Sequence, residues 1–235
     1  MFRFHNDIKR LYILKYAKGD VVDLASGRGG DILKYVSNKN VTSVTGYDIN
    51  MGYIREARSR VNKKFRIKIK YFLKDLGKEV IPKQDSRADT IVCNFAFHYF
   101  FKNRDTLGTV LKSISNISKK GTIFILSLFD GKKVKEKLIE QGGNIKTNFF
   151  EITPVNVSNR KQYGNAIDVF LKDSVLSEPV TEYLVNPDFL IKKINSIGFS
   201  LVEMKSFTNV EKFKLLPKLS QEFSSLNNVY VFEKK

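Results

Sequence analysis

The stretch that decides the fold is Val22-Asp23-Leu24-Ala25-Ser26-Gly27-Arg28-Gly29-Gly30-Asp31. It begins in a short apolar run typical of a buried strand, passes through a glycine-rich turn, and leads into a helical pattern that starts at Ile32. Glycine lets a ligand approach the backbone closely, and the first turn of a helix favours negative charge. The plain alternative is an ordinary tight connection between a strand and a helix. The stretch therefore predicts a strand–turn–helix unit with a candidate binding site at the turn.

Carboxylates surround this turn and restrict the ligand it could hold. Asp23 and Asp31 flank the glycines, and the spacing departs from the G-x-G-x-x-G pattern of dinucleotide folds because Ala25 stands at the first glycine position. Asp48 ends the second predicted strand, where an acid can accept hydrogen bonds from both hydroxyls of a ribose, and Asp75 follows the third. Asp23 and Asp31 would repel a pyrophosphate. S-Adenosylmethionine, with a ribose, a cationic amine and no phosphate, fits the set.

Strand-like and helical patterns alternate through the first half of the chain, which predicts a parallel sheet with crossover helices. One helix is predicted over Tyr53 to Phe65, and the last strand, Val229 to Phe232, is expected at a sheet edge or as an antiparallel insertion. The second half is less regular. Residues 142–185 look like an insertion over the open end of the sheet, and we expect residues 1–235 to form a single domain.

The composition narrows the class of protein. The 235 residues contain 41 Lys plus Arg and 24 Asp plus Glu, a formal charge of +17, which favours a nucleic acid partner first and an anionic membrane surface second. One cysteine and two histidines exclude a disulfide framework and a zinc cluster built on them, so no metal is expected. No apolar run reaches the roughly 18 residues of a membrane helix, and the N-terminus shows no secretion signal.

Two further segments could carry chemistry. Asn94-Phe95-Ala96-Phe97-His98-Tyr99-Phe100-Phe101 follows the fourth predicted strand. We expect Phe97, Phe100 and Phe101 to be core residues, whereas His98 and Tyr99 each offer a flat face and a polar tip that could hold a base. Taken alone, His98 is better explained as a satisfied structural histidine. In Thr181-Glu182-Tyr183-Leu184-Val185, Glu182 is either a solvent-facing strand carboxylate or an acceptor for the N1–H and amine of guanine.

Together these blocks resemble the mRNA cap guanine-N7 methyltransferases, in the compact style of viral and lower-eukaryotic members. Four segments are similar in the right order, and the similarity runs from about Phe4 to Lys234. The segments are Asn6-Asp7-Ile8-Lys9, Asp23 to Asp31, Phe95 to Tyr99, and Thr181 to Val185. The glycine block alone would indicate only a methyltransferase. The resemblance implies a Rossmann-like class I methyltransferase fold: a mostly parallel seven-stranded sheet with helices on both faces and an insertion over the substrate cleft.

The resemblance also implies which residues form the site. Lys9 would bind the cofactor's carboxylate, Asp31 its amino end, Asp48 its ribose hydroxyls, and Asp75 with Leu76 its adenine. Asp23, the backbone at Ala25 and Gly27, and Asn94 would complete the S-adenosyl-L-methionine site. The cap guanine would lie against His98, Tyr99, Phe129 and Glu182. Asn227 stands where the family has a tyrosine, and Phe4 or His5 could supply a stacking face instead.

The implied reaction is methyl transfer to N7 of the cap guanine in 5'-capped RNA. Guanine N7 has an available lone pair, so we expect no catalytic acid or base, no covalent intermediate and no metal. The chain has no Lys-x-Asp-Gly motif, so the triphosphatase and guanylyltransferase would lie on other subunits or domains. We expect phosphate contacts from Arg28, Arg55 or Arg58, no membrane association, and a cytoplasmic location (the host cytoplasm or the virion for a viral protein), with the nucleus left open. The alternatives are another S-adenosylmethionine-dependent methyltransferase acting on RNA or a small molecule, and an inactive RNA-binding or partner-activating subunit.

Overall fold

A seven-stranded sheet forms the centre of the molecule, in a computed structural model that describes residues 2–83, 87–172 and 178–235. Its strands are β1 (Gly19–Leu24), β2 (Val41–Asp48), β3 (Lys68–Leu73), β4 (Ala88–Asn94), β5 (Ser118–Phe129), β10 (Phe199–Ser206) and β11 (Asn227–Lys234). The spatial order is β3-β2-β1-β4-β5-β11-β10. Strands β1 to β5 are parallel, and β11 is antiparallel to both of its neighbours. The predicted fold class is confirmed, and the last strand is an antiparallel insertion and not an edge.

Helices cover both faces of this sheet. They are α1 (Phe2–Tyr16), α2 (Ile32–Ser37), α3 (Met51–Ser59), α4 (Arg104–Ile117), α5 (Gly131–Glu140), α6 (Pro187–Asn195) and α7 (Lys218–Ser225). The helix predicted over Tyr53 to Phe65 is shorter because Asn62 closes a turn after it. The Asn62 side chain accepts a hydrogen bond from the Lys64 N–H at 2.9 Å, which competes with helix continuation.

The central strands are buried on both faces, and successive residues point to different cores. In β4, Ile91 packs in the core beneath α4 and α6, whereas the adjacent Val92 packs in the core beneath α1. The short 3-10 segment after β4, Phe97–Lys102, buries Phe97, Phe100 and Phe101 as predicted. A double-faced core of this kind holds the carboxyl ends of the strands rigidly, and the candidate site lies at those ends.

A second sheet forms from the less regular part of the chain. Its four antiparallel strands are β6 (Ile145–Lys146), β7 (Phe150–Asn156), β8 (Ala166–Leu171) and β9 (Val180–Tyr183). All lie within the predicted insertion at 142–185, of which residues 173–177 fall outside the described residues. Residues such as Ile152 and Ile167 pack with Phe129 and Phe223 in a separate core. This packing joins the small sheet to the carboxyl end of β5 and to α7. None of the helices in the described part of the chain is long and apolar enough to span a membrane.

Candidate active site

Backbone strain marks the carboxyl ends of two neighbouring strands. Ala25 (φ 55°) follows β1 and Phe95 (φ 54°) follows β4, and no other non-glycine residue in the described ranges has a positive φ. An L residue in this region costs of order 1–2 kcal/mol, and such strain is concentrated at functional sites. The sheet order reverses its direction between β1 and β4, which is where open α/β sheets bind ligands. The strain therefore coincides with the topological binding position.

One cavity opens beside the glycine turn, and we call it the turn cavity. It has a volume of about 460 Å³, and its walls include Ala25, Asp48, Asp75, Leu76 and Tyr99. The Asp48 carboxylate is held by two backbone donors: its Oδ2 accepts from the Gly27 N–H at 2.8 Å and its Oδ1 from the Asn50 N–H at 2.9 Å. Each oxygen retains a second lone pair for a ligand hydroxyl. The turn thus orients an acceptor pair at the cavity wall.

A buried charge cluster lies behind the turn. Asp31 Oδ1 is 2.8 Å from the Lys9 ammonium and 2.7 Å from the Lys34 ammonium, while its Oδ2 accepts a long hydrogen bond of 3.4 Å from the Asn94 amide. Burial favours a higher pKa for Asp31, but the two ammonium groups outweigh it and hold the pKa below its ordinary value. Asp31 is therefore a stable anion within the fold.

Asp23 behaves differently from Asp31. It is buried in β1, and desolvation together with the negative charge of Asp31 raises its pKa to about 8. It therefore lies under the turn as a largely neutral acid at pH 7.

Asn94 links β4 to its neighbours. Its Oδ1 accepts a hydrogen bond from the Ser127 hydroxyl at 2.7 Å, and its amide nitrogen donates to Asp31.

A second cavity, which we call the aromatic cavity, lies between the central sheet, α1, α7 and the small sheet. Its volume is about 250 Å³, and its walls include Lys9, Phe95, His98, Phe129, Glu182 and Asn227. Four of these were predicted site residues. The Phe95 ring stacks on the His5 ring at 5.1 Å between centroids and 12° between planes. The cavity is thus a slot with flat aromatic walls and a few polar groups, as expected for a planar polar ligand.

His98 and Glu182 lie next to each other in the wall of this cavity. His98 Nε2 is 3.4 Å from Glu182 Oε2, yet neither ring nitrogen has a hydrogen-bond partner among the described residues. Burial lowers the pKa of His98 to about 3 and raises that of Glu182 to about 8. Both side chains are therefore mostly neutral at pH 7. Buried polar atoms without partners are costly, and here they indicate a ligand. The interpretations of His98 as a satisfied structural histidine and of Glu182 as a solvent-facing carboxylate are wrong.

Tyr99 lines a different cavity from the preceding residue, His98. Its ring centroid is 4.1 Å from that of His98, but its side chain lines the turn cavity.

Asn227 lines the aromatic cavity, where its amide donates to the Phe223 carbonyl at 3.1 Å. Sequence reasoning missed Phe223, which comes from α7 and also lines this cavity. No sequence signal could have found it, because it reaches the site only through tertiary packing.

The N-terminal residues and the arginines also have definite positions. His5 lines the aromatic cavity with its ring stacked on Phe95, whereas Phe4 packs in the core against Phe207. Arg58 is exposed, and two of its nitrogen atoms donate to the Tyr71 carbonyl at 3.0 and 2.7 Å.

Arg28 lies 3.3 Å from Glu56 and 4.7 Å over the Tyr53 ring, near the turn, and Arg55 is exposed. Within the described ranges, no group of three or more acidic, histidine or cysteine side chains could hold a metal ion.

The chain is similar in sequence to known proteins over nearly its whole length. The family described as "mRNA (guanine-N(7))-methyltransferase domain" matches residues 1–230. The chain is 28% identical over 257 residues to a probable mRNA-capping enzyme of Acanthamoeba polyphaga mimivirus, covering 89% of this chain and 22% of that protein. It is 28% identical over 244 residues to the mRNA cap guanine-N(7) methyltransferase of Saccharomyces cerevisiae, covering 94% and 55%. The chain thus spans only part of the length of the curated relatives it matches.

Solved structures show the same fold. A methyltransferase from Mesorhizobium loti, described as S-adenosylmethionine dependent, superposes with a TM-score of 0.66 at 14% identity, covering 98% of both chains. The glycopeptide N-methyltransferase MtfA, solved with (S)-adenosyl-L-methionine, superposes with a TM-score of 0.61 at 12% identity, covering 97% of this chain and 86% of that one. These similarities establish the class I methyltransferase fold. With the family match over nearly its whole length, the chain belongs to the mRNA (guanine-N7)-methyltransferase domain family.

Proposed function

We propose that this chain transfers a methyl group from S-adenosyl-L-methionine to N7 of the guanine in the 5' cap of RNA. One observation carries the proposal: the successive residues His98 and Tyr99 line two cavities of different chemistry, one with acidic acceptors and one with flat aromatic walls. The transfer needs two bound groups in contact, and positioning of this kind can contribute on the order of 7 kcal/mol or more to lowering a barrier.

The turn cavity fits S-adenosylmethionine by the chemistry of its donors and acceptors. Asp48 would accept both ribose hydroxyls, and Asp75 with Leu76 would meet the adenine. Ala25 and Gly27 would bring the backbone close to the methionine part, while Asn94 and the largely neutral Asp23 support the turn and the charge cluster. Lys9 and Asp31 would bind the carboxylate and the ammonium group of the amino acid, since they form an ion pair of opposite sign.

The aromatic cavity suits guanine. The N1–H and the exocyclic amine of guanine are both donors, and an ionised Glu182 would accept a hydrogen bond from each. The base would also offer a hydrogen-bond partner to the ring nitrogens of His98, which have none among the described residues. Phe129 and Phe95 would cover the faces of the base, with His5 backing Phe95. Tyr99 would border the base on one side and the cofactor on the other, outside the path of the methyl group.

The chemistry requires little from the protein beyond placement. When bound, S-adenosylmethionine supplies a methyl group activated on a sulfonium. Guanine N7 has a lone pair and no proton to remove, so the residues need not include a general base. Positive charge develops on the purine ring during transfer, and the Glu182 carboxylate next to N1 would stabilise it. Tyr99 and His98 would exclude water from the place where the base meets the cofactor.

The partner of this reaction is 5'-capped RNA, and the +17 charge suits its phosphates. We propose that residues 1–235 act as a single domain, with the small sheet on the cap side. The triphosphatase and guanylyltransferase activities would be supplied by other subunits or domains, and the location would be the cytoplasm or, for a viral protein, the virion.

The test uses labelled S-adenosylmethionine with RNA ending in GpppN. Label released only as N7-methylated cap guanine is the expected result. Label elsewhere in the RNA or in a small molecule would favour a different methyltransferase, and RNA binding without any transfer would favour an inactive subunit. Glu182→Ala is the matched variant: it should lose transfer by far more than it loses S-adenosylhomocysteine affinity, because Glu182 lies in the aromatic cavity.

A further inference from the structure

Lys34 is a buried lysine next to the candidate site that neither cavity uses. It lies in α2, one turn after the glycine stretch, and its side chain is only 7% exposed. Its ammonium has three acceptors: Asp31 Oδ1 at 2.7 Å, the Asn6 side-chain oxygen at 3.1 Å and the Gly30 carbonyl at 3.2 Å. Lysine is rarely buried so deeply unless it is paired. All three donors of Lys34 are thus committed within the protein.

The arrangement around Asp31 is asymmetric. Both ammonium groups, from Lys9 and Lys34, lie against the same carboxylate oxygen, Oδ1, whereas Oδ2 has only the 3.4 Å contact with Asn94. Lys9, unlike Lys34, lines the aromatic cavity, and it uses one of its three donors on Asp31. Lys34 therefore anchors Asp31 from inside the fold, so that Oδ2 and the outer donors of Lys9 remain available.

We infer that Lys34 is a positioning residue for the amino-acid part of S-adenosylmethionine, an inference that rests on the proposed function. Held by Lys34, Asp31 presents Oδ2 to the ammonium group of the ligand and fixes Lys9 for its carboxylate. Without Lys34, the Asp31 carboxylate loses its inner anchor and is free to turn, and the Lys9 ammonium, a point charge on a flexible stem, can follow either oxygen. The two groups that recognise the amino acid would then neutralise each other.

The experiment compares two ligands that differ in the amino-acid part. S-Adenosylhomocysteine carries the amino-acid ammonium and carboxylate groups, whereas 5'-methylthioadenosine keeps the nucleoside and sulfur but lacks both. In Lys34→Met, calorimetry should show S-adenosylhomocysteine affinity lowered by about 10- to 100-fold, the range for charged hydrogen bonds. The affinity for 5'-methylthioadenosine should stay within about twofold, because its contacts lie in the turn cavity.

Matched variants separate positioning from folding. Lys39→Met removes the same charge from an exposed site just after α2 and should change neither affinity. Lys34→Arg retains a cation and should preserve most of the preference for S-adenosylhomocysteine. Lys34→Gln is a second neutral variant for the case in which Lys34→Met unfolds, and thermal melting monitors all four proteins.

Each outcome has a definite meaning. A selective loss of S-adenosylhomocysteine binding supports the inference. An unchanged ratio of the two affinities, or an equal loss of both, overturns it, because Lys34 would then be either dispensable or a general scaffold residue. If the unmodified protein binds neither ligand, the proposed function itself fails, and the inference fails with it.

Discussion

The pKa of Glu182 should make the proposed cap binding dependent on pH. In the ligand-free protein, burial raises this pKa to about 8, so the side chain is mainly a carboxylic acid at pH 7. A protonated carboxyl offers one acceptor and one donor, whereas the N1–H and the amine of guanine are both donors. Guanine therefore selects the ionised form, and binding at neutral pH must release the proton.

The magnitude follows from the population of the ionised form. At pH 7 a group with a pKa of about 8 is ionised in about one molecule in eleven, and the apparent affinity is reduced by that fraction. Each further pH unit below the pKa costs about tenfold, or ~1.4 kcal/mol. The affinity for a GpppA cap dinucleotide should thus rise about tenfold from pH 6 to pH 7 and level off above pH 8.

The neighbouring histidines do not contribute to the pH dependence of cap affinity in this range. In the ligand-free protein, burial lowers the pKa of both His5 and His98 to about 3, so neither is charged between pH 6 and pH 8 before the cap binds. Calorimetry at pH 7 in two buffers of different ionisation enthalpy should report release of about 0.9 proton per cap bound. Glu182→Gln is the control: it should bind the cap more weakly and with a flat pH profile. A flat profile in the unmodified protein, without proton release, would refute the reasoning.

Three other predictions test the site and the fold. Asp48→Ala removes the acceptor of the Gly27 N–H and should weaken S-adenosylhomocysteine binding by about tenfold or more, measured by calorimetry, while cap affinity stays within about twofold. Gly131→Ala would place a Cβ 2.5 Å from the Val185 carbonyl oxygen and should lower the free energy of unfolding in urea by ~1–3 kcal/mol. Gly108→Ala is the control, because a Cβ at this helical position meets no atom within 4 Å, and it should raise the free energy of unfolding by up to ~1 kcal/mol. Equal urea midpoints for the two variants would contradict this prediction. RNA binding, followed by anisotropy, should weaken steeply with salt, whereas S-adenosylhomocysteine binding should barely change; equal salt slopes would argue against a phosphate path.

What the sequence predicted well is what local chemistry determines. The glycine turn, Asp48 at the end of β2 and the buried rings after β4 follow from short patterns whose meaning does not depend on distant residues. The length of α3 was less predictable, because its apolar stripe continues past Ser59 and only the Asn62 turn stops it.

The aromatic cavity depended on tertiary packing. Glu182 faces His98 because β9 pairs with β8, with Ile167 opposite Glu182, and because the small sheet packs on α7. Neither register nor packing can be read from the strand-like run around Glu182 alone. The resemblance to a family, and not periodicity, placed His98 and Glu182 in one predicted site. Phe223 lies in no segment that carries the resemblance, so its place in the cavity was not predicted.

The strained residues Ala25 and Phe95 tie the two cavities to one feature of the fold. Ala25 lines the turn cavity and Phe95 the aromatic cavity, and each follows one of the two strands that flank the switch point. A relaxed backbone at either position would direct the chain away from the cleft. The strain, of order 1–2 kcal/mol per residue, persists because β1 and β4 are fixed by cores on both faces. The same rigid pair of strand ends therefore positions one wall residue of each cavity, as the proposed transfer between two bound ligands requires.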